Sequence, residues 1–395
     1  MRLLNQIVAV TAINLKSIPR RFWVSLSTVV AIALVVTVLL SFLAMANGFR
    51  QTLRGTGSPD VAVLLRGGAS VEINSSVGRD QLRLVEEAPG IARTAEGKPL
   101  VSGELYLIVD GLKRASGTKA NIALRGLGPE GEAIRQGFRI VEGRMFEPGA
   151  AEIIVGRSLL SEFAGFEPGS TVRLGTGTWT VVGVFEMGGS VFESELWADV
   201  GTVQSLFNRS NFYQSIRVRL DGPDALAALK TYVDADPRLK LDAKTEQAYF
   251  ADQAAGTGGL IQTLGWPLAI AMALGALAGA LNTMYSSVAA RTTEIATLRA
   301  LGFGGIPAFV GTLVESLALA SLGGAVGALL TWIFFDGLTA STFGGSFTQV
   351  VFSFKLTPGL VMQGVTLALV VGFIGGLFPA IRATRVPLVA AFGQR

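Results

Sequence analysis

The sequence of 395 residues contains no cysteine and no histidine. Without cysteine, disulfides, thiolate metal sites and cysteine nucleophiles are excluded. Without histidine, a Ser-His-Asp triad, a histidine-ligated zinc ion and a histidine proton shuttle are excluded as well. Most hydrolase and metalloenzyme functions are thereby removed, and we expect no catalytic residue and no metal site.

Charge is also scarce, because only 16% of the residues are charged whereas 50% are hydrophobic. Soluble domains carry about 25% charged residues, so this composition argues against an ordinary cytosolic protein. Such a high apolar content also excludes disorder. The net charge of +4 is better explained by the basic cytoplasmic edges of a membrane protein than by nucleic-acid binding.

Phosphate-binding and nucleophile motifs are missing too. The sequence contains no G-x-x-x-x-G-K-[ST] P-loop and no G-x-S-x-G motif. A G-x-G-x-x-G pattern at residues 126–131 includes Pro129 and falls in a region that we place outside the cytosol. We interpret its glycines as turn residues, so no cofactor is expected on this chain.

Apolar stretches long enough to cross a bilayer, which takes about 20 residues, occur four times. They predict transmembrane helices at 22–46, 260–290, 306–335 and 357–381. Ala44-Met45-Ala46 resembles a signal-peptide cleavage site. The preceding apolar stretch is too long for a signal peptide, whose apolar core has about 7–15 residues, so we expect an uncleaved span.

Basic residues near the span ends predict the orientation. Arg21 precedes the first span, Arg291 and Arg299 lie in the loop after the second, and Arg382 and Arg385 follow the fourth. We therefore expect both termini on the cytoplasmic side, including a tail at 382–395. Residues 47–258 and a short loop at 336–356 then lie outside.

The predicted outer region, residues 47–258, has the pattern of a mixed α/β domain. Helix signals at Asp80 and Pro223 alternate with β-branched and aromatic runs, and Gly256–Gly259 has the composition of a flexible joint. The predicted strands are Val61–Arg66, Leu105–Val109, Asn121–Arg125, Ala151–Val155, Thr171–Leu174, Thr178–Phe185 and Ser215–Leu220.

Residues 1–21 form a predicted amphipathic helix that lies in the lipid headgroup region and leads into the first span at Pro19. The alternative is a short solvated arm. The apolar face of this helix consists of Leu3, Leu4, Ile7, Val8, Leu15 and Ile18.

Small residues spaced four apart predict close packing of the spans. We expect the second, third and fourth spans to form a tight bundle with the first more peripheral. The glycines concerned are Gly275, Gly279, Gly323, Gly327, Gly372 and Gly376. Glu315 lies within the third span, and the other spans contain no basic residue to pair with it. It is either a functional acid or a hydrogen-bonded structural glutamate.

Residues 291–305 predict a short amphipathic helix between the second and third spans. Its polar residues are Arg291, Glu294 and Arg299, its apolar residues are Ile295, Leu298 and Leu301, and Gly302 is a natural stop. This helix either anchors the loop at the membrane interface or docks onto a partner protein.

The same segment, with its Arg-x-x-Glu-Ile-x-x-Leu-Arg-Ala-Leu-Gly pattern at 291–302, resembles the signature of the FtsX/MacB-type ABC permeases. Further segments are similar to that family over nearly the whole chain. They are Asn14–Arg20, Val141–Arg144, Thr180–Val184, and Pro379–Ala383 with Pro387 and Ala390.

The resemblance implies an α-helical membrane protein with four spans and a large α/β extracytoplasmic domain between the first two. It implies a dimer, with a second copy or a paralogue, in a bacterial inner membrane. Because the sequence has no ATPase domain like that of MacB, it implies a separate ABC ATPase that binds ATP and magnesium. A periplasmic adaptor is a further expected partner.

The resemblance implies that the permease relays ATP-driven motion, and we expect Glu294, Arg291, Arg299 and Gly302 to couple it to the ATPase, with Leu298 and Leu301 filling a groove on that partner. Export or extraction of a substrate is the expected function. The alternatives are an FtsX-like regulator of cell-envelope enzymes, a lipoprotein-release permease, and a membrane receptor or enzyme unrelated to ATP. Asn47-Gly48-Phe49 is reminiscent of the lipoprotein-release branch.

Overall fold

The computed structural model describes residues 3–344 and 348–385, apart from the side chain of Arg20. The expectations on Pro387 and Ala390, and on most of the predicted tail, lie outside these residues. The chain divides into two compact units. One comprises Met1–Asn47, Leu260–Leu338 and Phe354–Arg395, and is called the helical unit; the other comprises Gly48–Gly259 and Thr339–Ser353, and is called the α/β unit.

The helices, in chain order, are α1 Leu3–Ser17, α2 Phe22–Arg54, α3 Arg79–Glu86, α4 Gly131–Ile134, α5 Arg157–Glu162, α6 Val200–Leu206, α7 Ala225–Ala235, α8 Glu246–Ala290, α9 Thr292–Ala300, α10 Gly305–Phe335 and α11 Pro358–Thr384. Single 3₁₀ turns occupy Ile18–Arg21, Glu72–Asn74 and Val191–Ser194.

The strands, in chain order, are β1 Val61–Arg66, β2 Val77–Gly78, β3 Val101–Lys113, β4 Lys119–Leu127, β5 Arg139–Gly143, β6 Glu152–Gly156, β7 Phe163–Ala164, β8 Thr171–Leu174, β9 Gly177–Glu186, β10 Glu195–Asp199, β11 Phe212–Tyr213, β12 Ser215–Arg219, β13 Leu241–Thr245, β14 Thr339–Phe343 and β15 Gln349–Ser353.

Four helices in the described part of the chain are long and apolar enough to cross a membrane, namely α2, α8, α10 and α11. Two of them are longer than the sequence predicts by more than one helical turn, since α2 continues to Arg54 and α8 already begins at Glu246. The expected flexible joint at Gly256–Gly259 is wrong, because these residues lie inside α8. Gly258 lets Arg50 of α2 approach, and a Cβ there would come within 2.6 Å of the Arg50 Cγ.

The packing of the helical unit also differs from the expectation. The first span is not peripheral: 56% of the apolar window of α2 is buried, against 22% of that of α8. Ile32, Val36 and Leu40 of α2 belong to the core that α8, α10 and α11 share. Large side chains of α2 therefore fill the space that small residues leave on its neighbours.

Four of the six predicted glycines contact a neighbouring helix, and the other two do not. Gly323 and Gly327 of α10 face α2, and a Cβ on Gly327 would lie 2.6 Å from the carbonyl oxygen of Ala33. Gly376 of α11, like Gly372, faces α10. Gly275 and Gly279 of α8 pack against no other described part of the chain, since nothing lies within 4 Å of a Cβ placed on either residue. The small-residue pattern thus identifies close helix contacts in α10 and α11, but those contacts include the first span.

The main sheet of the α/β unit has the strand order β13-β1-β12-β3-β4-β10-β6-β9-β5, with β7 added to β3 and β8 added to β9. The β10–β4 and β6–β9 pairs are parallel and the other pairs are antiparallel. The seven predicted strands fall on β1, β3, β4, β6, β8, β9 and β12. Asp80 is not a helix cap, because Gly78 precedes α3 and donates its N–H to Gln81 Oε1 at 2.8 Å.

A hairpin occupies most of the predicted loop at 336–356. β14 and β15 pair in antiparallel register and belong to the α/β unit. The Val351 N–H donates to Ser194 Oγ at 3.0 Å, and the Lys113 ammonium donates to Ser341 Oγ at 2.8 Å. The chain between α10 and α11 thus contributes structure to a unit that the sequence analysis confined to 47–258.

A buried ionic cluster lies in the α/β unit, and each of its carboxylates and guanidiniums is almost inaccessible to solvent. Its members are Glu72, Glu104, Glu195, Glu246, Arg125, Arg135 and Arg217. Burial alone would raise the pKa of Glu104, but the adjacent Arg135, Arg217 and Arg125 outweigh it and lower that pKa to about 2. Glu72 follows the same pattern, and Arg125 and Arg217 hold its pKa well below the usual value despite its burial.

We predict that Gly327→Ala lowers the thermal stability of the detergent-purified protein, because the new methyl group meets the α2 backbone. Overpacking of this kind costs on the order of 1–3 kcal/mol. The matched control is Gly256→Ala in α8, where nothing lies within 4 Å of the new Cβ and the helix gains up to about 1 kcal/mol of propensity. An equal rise in the unfolding temperature for both variants would contradict the packing described.

We also predict that acid destabilises the α/β unit through Glu104. Because its folded pKa of about 2 lies below the ordinary value of 4.5, its contribution is complete above pH 4.5 and is lost as the pH falls towards 2. Denaturant titrations at a series of pH values measure how steeply the free energy of unfolding falls with pH in the wild-type protein and in Glu104→Gln. This pH dependence should be weaker in the variant, and the same pH dependence in both proteins would rule out this role for Glu104.

Candidate coupling site

The helix α9 lies within the predicted segment 291–305 but is shorter than that segment, and it ends where the sequence predicts. It spans Thr292–Ala300, and Gly302 follows with a φ of 91°. The Phe303 N–H bonds the Leu298 carbonyl at 3.0 Å, and the Gly302 N–H bonds the Arg299 carbonyl at 3.1 Å. This is a Schellman ending, which favours glycine because its C′ residue is left-handed. The predicted role of Gly302 as a stop is confirmed.

The predicted docking residues of α9 differ in exposure. Glu294 is exposed and Leu301 is 72% exposed, while Ile295, Leu298 and Arg299 are intermediate. The side that faces inward is marked by the fully buried Ala296. The α9 segment therefore offers a partner both an apolar contact, at Leu301, and a charge, at Glu294.

Arg291 has a different environment from the rest of the segment. It is buried immediately before α9, and its guanidinium reaches Glu315 of α10 through two contacts, Nη1 to Oε2 at 3.0 Å and Nη2 to Oε1 at 3.2 Å. Glu315 therefore does have a basic partner, which the sequence analysis missed because Arg291 lies just beyond the predicted span. Of the two interpretations of Glu315, this geometry favours the hydrogen-bonded structural glutamate.

Polar groups from α1 and α8 complete the surroundings of this ion pair. Arg291 donates to Ser17 Oγ and to the Asn14 carbonyl, and Ser17 Oγ also receives Arg21 at 3.1 Å. Arg21 also donates to the carbonyl of Ser287, whose hydroxyl lies 3.5 Å from Glu315 Oε1. The base of the α9 segment is thus fixed to α1, α8 and α10 by charged hydrogen bonds. Ser17 and Ser287 carried no signal in the sequence, because isolated serines are common in membrane helices.

A cavity of about 360 Å³ lies between α9 and the helices beneath it. Val10 and Ile13 of α1, Leu298 of α9 and Ala308 of α10 line it with apolar surface, and Arg291 and Glu315 contribute its polar part. Within the described residues there is no group of histidine, cysteine, aspartate or glutamate that could hold a metal ion.

Two family models match this chain. The MacB-like periplasmic core domain matches residues 25–236, more than half of the chain, and the FtsX-like permease C-terminal domain matches residues 267–388. The chain belongs to the FtsX/MacB-type ABC permease family. It is accordingly a multi-pass membrane protein, and α9 is the segment that resembles the signature of this permease family.

Curated relatives agree with this assignment. Macrolide export ATP-binding/permease protein MacB 1 of Aeromonas hydrophila is 27% identical over 68% of this chain and 43% of its own length. Macrolide export ATP-binding/permease protein MacB of Shewanella oneidensis is 23% identical over 95% of this chain and 58% of its own length. This chain therefore spans about half the length of the curated relatives that it matches.

Solved structures include two similar domains. The periplasmic region of MacB from Actinobacillus actinomycetemcomitans covers 50% of this chain and 94% of its own, with 15% identity and a TM-score of 0.38. The extracellular domain of the noncanonic ABC-type transporter YknZ from Gram-positive bacteria covers 43% of this chain and 88% of its own, with 16% identity and a TM-score of 0.33.

We predict that Arg291→Met and Glu315→Leu each destabilise the protein by about 3–5 kcal/mol, because each leaves a buried group without its charged partner. The double variant Arg291→Met/Glu315→Leu should recover much of this loss, as an apolar replacement does for other buried pairs. Unfolding in mixed micelles provides the double-mutant cycle.

The matched control is Arg144→Met, which removes an ion pair to Glu152 at a site where Arg144 is 50% exposed, and it should change stability little. Additive losses in the double variant at Arg291 and Glu315 would show that the two side chains do not act as a pair.

Proposed function

We propose that this chain is the permease subunit of an ABC transporter in a bacterial inner membrane, with both termini in the cytoplasm. A separate ABC ATPase binds α9, and the motion driven by ATP hydrolysis is relayed through the spans to the α/β unit on the other side. Export or extraction of a substrate is the work performed. The chain itself is non-catalytic, and ATP and magnesium belong to the ATPase.

The observation that carries this proposal is the contrast in burial between residues of the α9 segment. At its beginning, Arg291 is buried and bonded to Glu315, whereas Glu294 and Leu301 are exposed. A partner that grips the exposed residues would pull on a helix whose base is fixed to α10, so the displacement is passed to the spans. A loop that only anchored itself to lipid would not need this buried ion pair.

The first helix supports the same orientation. α1 packs on α10 where Gly311 lies beside Val10 and Asn14, while Leu3, Leu4 and Val8 are at least half exposed. An apolar face turned outward next to the basic residues Lys16 and Arg21 fits a helix at the cytoplasmic headgroup surface. This arrangement supports a common position of α1 and α9 at the cytoplasmic edge of the bilayer, where the ATPase would bind.

The assembly that we propose contains two permease copies, or this chain and a paralogue, together with two ATPase subunits. Gly275 and Gly279 of α8 pack against none of the other described parts of this chain, so they are available for contact with the second permease. The α/β unit supplies the surface for a periplasmic adaptor. Its size favours export or extraction over the regulation of cell-envelope enzymes.

We predict that Glu294→Lys weakens binding of the ATPase roughly tenfold, which corresponds to about 1.4 kcal/mol, because it reverses a charge on the docking surface. The measurement is the amount of ATPase that co-purifies with the permease, together with substrate-independent ATP hydrolysis. Asp221→Lys, an exposed charge reversal in the α/β unit, is the matched control and should have no effect. Full co-purification with Glu294→Lys would refute docking through α9.

A further inference from the structure

The buried ionic cluster of the α/β unit lies among the segments through which this unit continues into the spans. The chain passes between the two units after Asn47 in α2, after Gly259 in α8, and on either side of the β14–β15 hairpin at Thr339 and Ser353. Each of these segments contacts a member of the cluster, a residue that packs on one, or the turn that leads into one.

The helix α8 enters the cluster at its first residue. Glu246 accepts a hydrogen bond from Arg217 Nε at 2.8 Å, and Arg217 Nη1 reaches Glu72 at 2.8 Å and Glu104 at 2.6 Å. One turn later, the hydroxyl of Tyr249 accepts the Glu72 N–H at 3.3 Å. The beginning of α8 is therefore held by two separate contacts to the sheet and to the Glu72 turn.

The end of α2 reaches the cluster through a short turn. Thr56, just after α2, accepts the Val191 N–H at 2.8 Å, and Val191 begins the 3₁₀ turn that leads into Glu195. Glu195 binds Arg125 through both of its oxygens, at 2.7 and 2.8 Å. Gly57 also packs on the start of α8, since a Cβ there would lie 2.8 Å from the carbonyl carbon of Glu246.

The β14–β15 hairpin is connected to the ionic cluster through a tyrosine. The Tyr106 hydroxyl lies 2.8 Å from Thr348 Oγ1, immediately before β15. Arg125 stacks over the Tyr106 ring at 4.9 Å from the centroid and also bonds Glu72 and Glu104. The guanidinium of Arg125 on β4 thus contacts β3 and the Glu72 turn directly, and the hairpin reaches it through Tyr106.

Burying these charges is energetically unfavourable, because each one loses several kcal/mol of hydration. An apolar core of similar volume is often as stable. Its distinguishing property is directional: guanidinium–carboxylate forks fix angle and distance, whereas apolar contacts can slide. Ser215 and Trp197 donate further bonds to Glu72 and Glu195, so these carboxylates are well satisfied. A cluster of this kind resists displacement of one attached segment relative to another.

We propose that this cluster is the joint through which movement of α8 is passed to the sheet and to the β14–β15 hairpin, with Arg217 and Glu246 as its positioning residues. The inference rests on the proposed function, because it names the element of the α/β unit that receives the motion of the spans. It is separable from that function, since the stiffness of the joint is a property of the permease without ATPase.

The first experiment is hydrogen exchange of the full-length permease in lipid nanodiscs without ATPase. Glu246→Gln should accelerate exchange at residues 247–252 roughly 100-fold, because Arg217 loses the charged acceptor that ties it to the start of α8, while β6 and β9 remain protected. Glu152→Gln, which breaks an exposed ion pair in the same unit, is the control and should leave exchange at residues 247–252 unchanged. Unchanged exchange at these residues in Glu246→Gln would overturn the joint.

A milder variant keeps the test valid if Glu246→Gln fails to fold. Tyr106→Phe removes one hydroxyl and retains the ring under Arg125, so folding should be preserved. Exchange of the amides in β15 should rise about fivefold through loss of the Thr348 contact, as expected for one neutral hydrogen bond. No acceleration in β15 would contradict the link between hairpin and cluster.

The second experiment uses the absence of cysteine from the chain. A single cysteine, Ser116→Cys in the exposed β3–β4 turn, is labelled with a maleimide in the permease–ATPase complex with and without ATP. We expect ATP to change the labelling rate in the otherwise wild-type protein, and Glu246→Gln to abolish this change while ATP hydrolysis continues. A retained response in Glu246→Gln would overturn the joint, whereas no response in the wild type would overturn the proposed function instead.

Discussion

Charges that leave water must be paired, and this requirement organises both regions on which the proposed mechanism depends. In the helical unit, Arg291 and Glu315 neutralise each other where α8, α9 and α10 meet. In the α/β unit, Arg125 and Arg217 each bond several buried glutamates. In both places the pairing joins segments that are distant in sequence. The partners therefore fix the relative positions of helices and strands that apolar packing alone would hold less specifically.

Close approach of backbones is the second constraint on the helical unit. Gly323 and Gly327 allow α2 to reach α10, and Gly376 allows α10 to reach α11. Because apolar side chains gain little from leaving lipid for protein, such contacts rely on shape. α2 supplies the large side chains that fit these grooves, and this explains its central position. A bundle with this packing is suited to transmitting displacement.

Much of this organisation could be read from the sequence. Long apolar runs give the spans, alternating β-branched residues give β1 and β8 at their observed limits, and Gly302 gives the end of α9. The features that could not be predicted from the sequence depend on tertiary contacts. The packing partner of a glycine has no sequence signal, so the central role of α2 was missed. Gly256–Gly259 likewise lie inside α8 despite the low helix propensity of glycine, and Gly258 packs against Arg50 of α2, a contact that the sequence does not reveal.

In the candidate site, too, the sequence predicted the helix but not the contacts of its residues. The amphipathic pattern of 291–302 predicted a helix with exposed polar residues, and Glu294 is indeed exposed. Arg291 looked equally available in the sequence, but its pairing with Glu315 depends on the turn between α8 and α9. The ionic cluster was also missed, because its members are scattered from Glu72 to Glu246 and are indistinguishable from surface charges until the sheet brings them together.

The central claim is that α9 is gripped by a nucleotide-hydrolysing partner in the cytosol. The most direct test places a photo-crosslinking amino acid at position 294 in cells and identifies what it captures by mass spectrometry. The account predicts a P-loop ATPase as the principal adduct, with loss of the adduct when the crosslinker is moved to the buried position 296. Adducts confined to lipid or to proteins on the outer side of the membrane would contradict it.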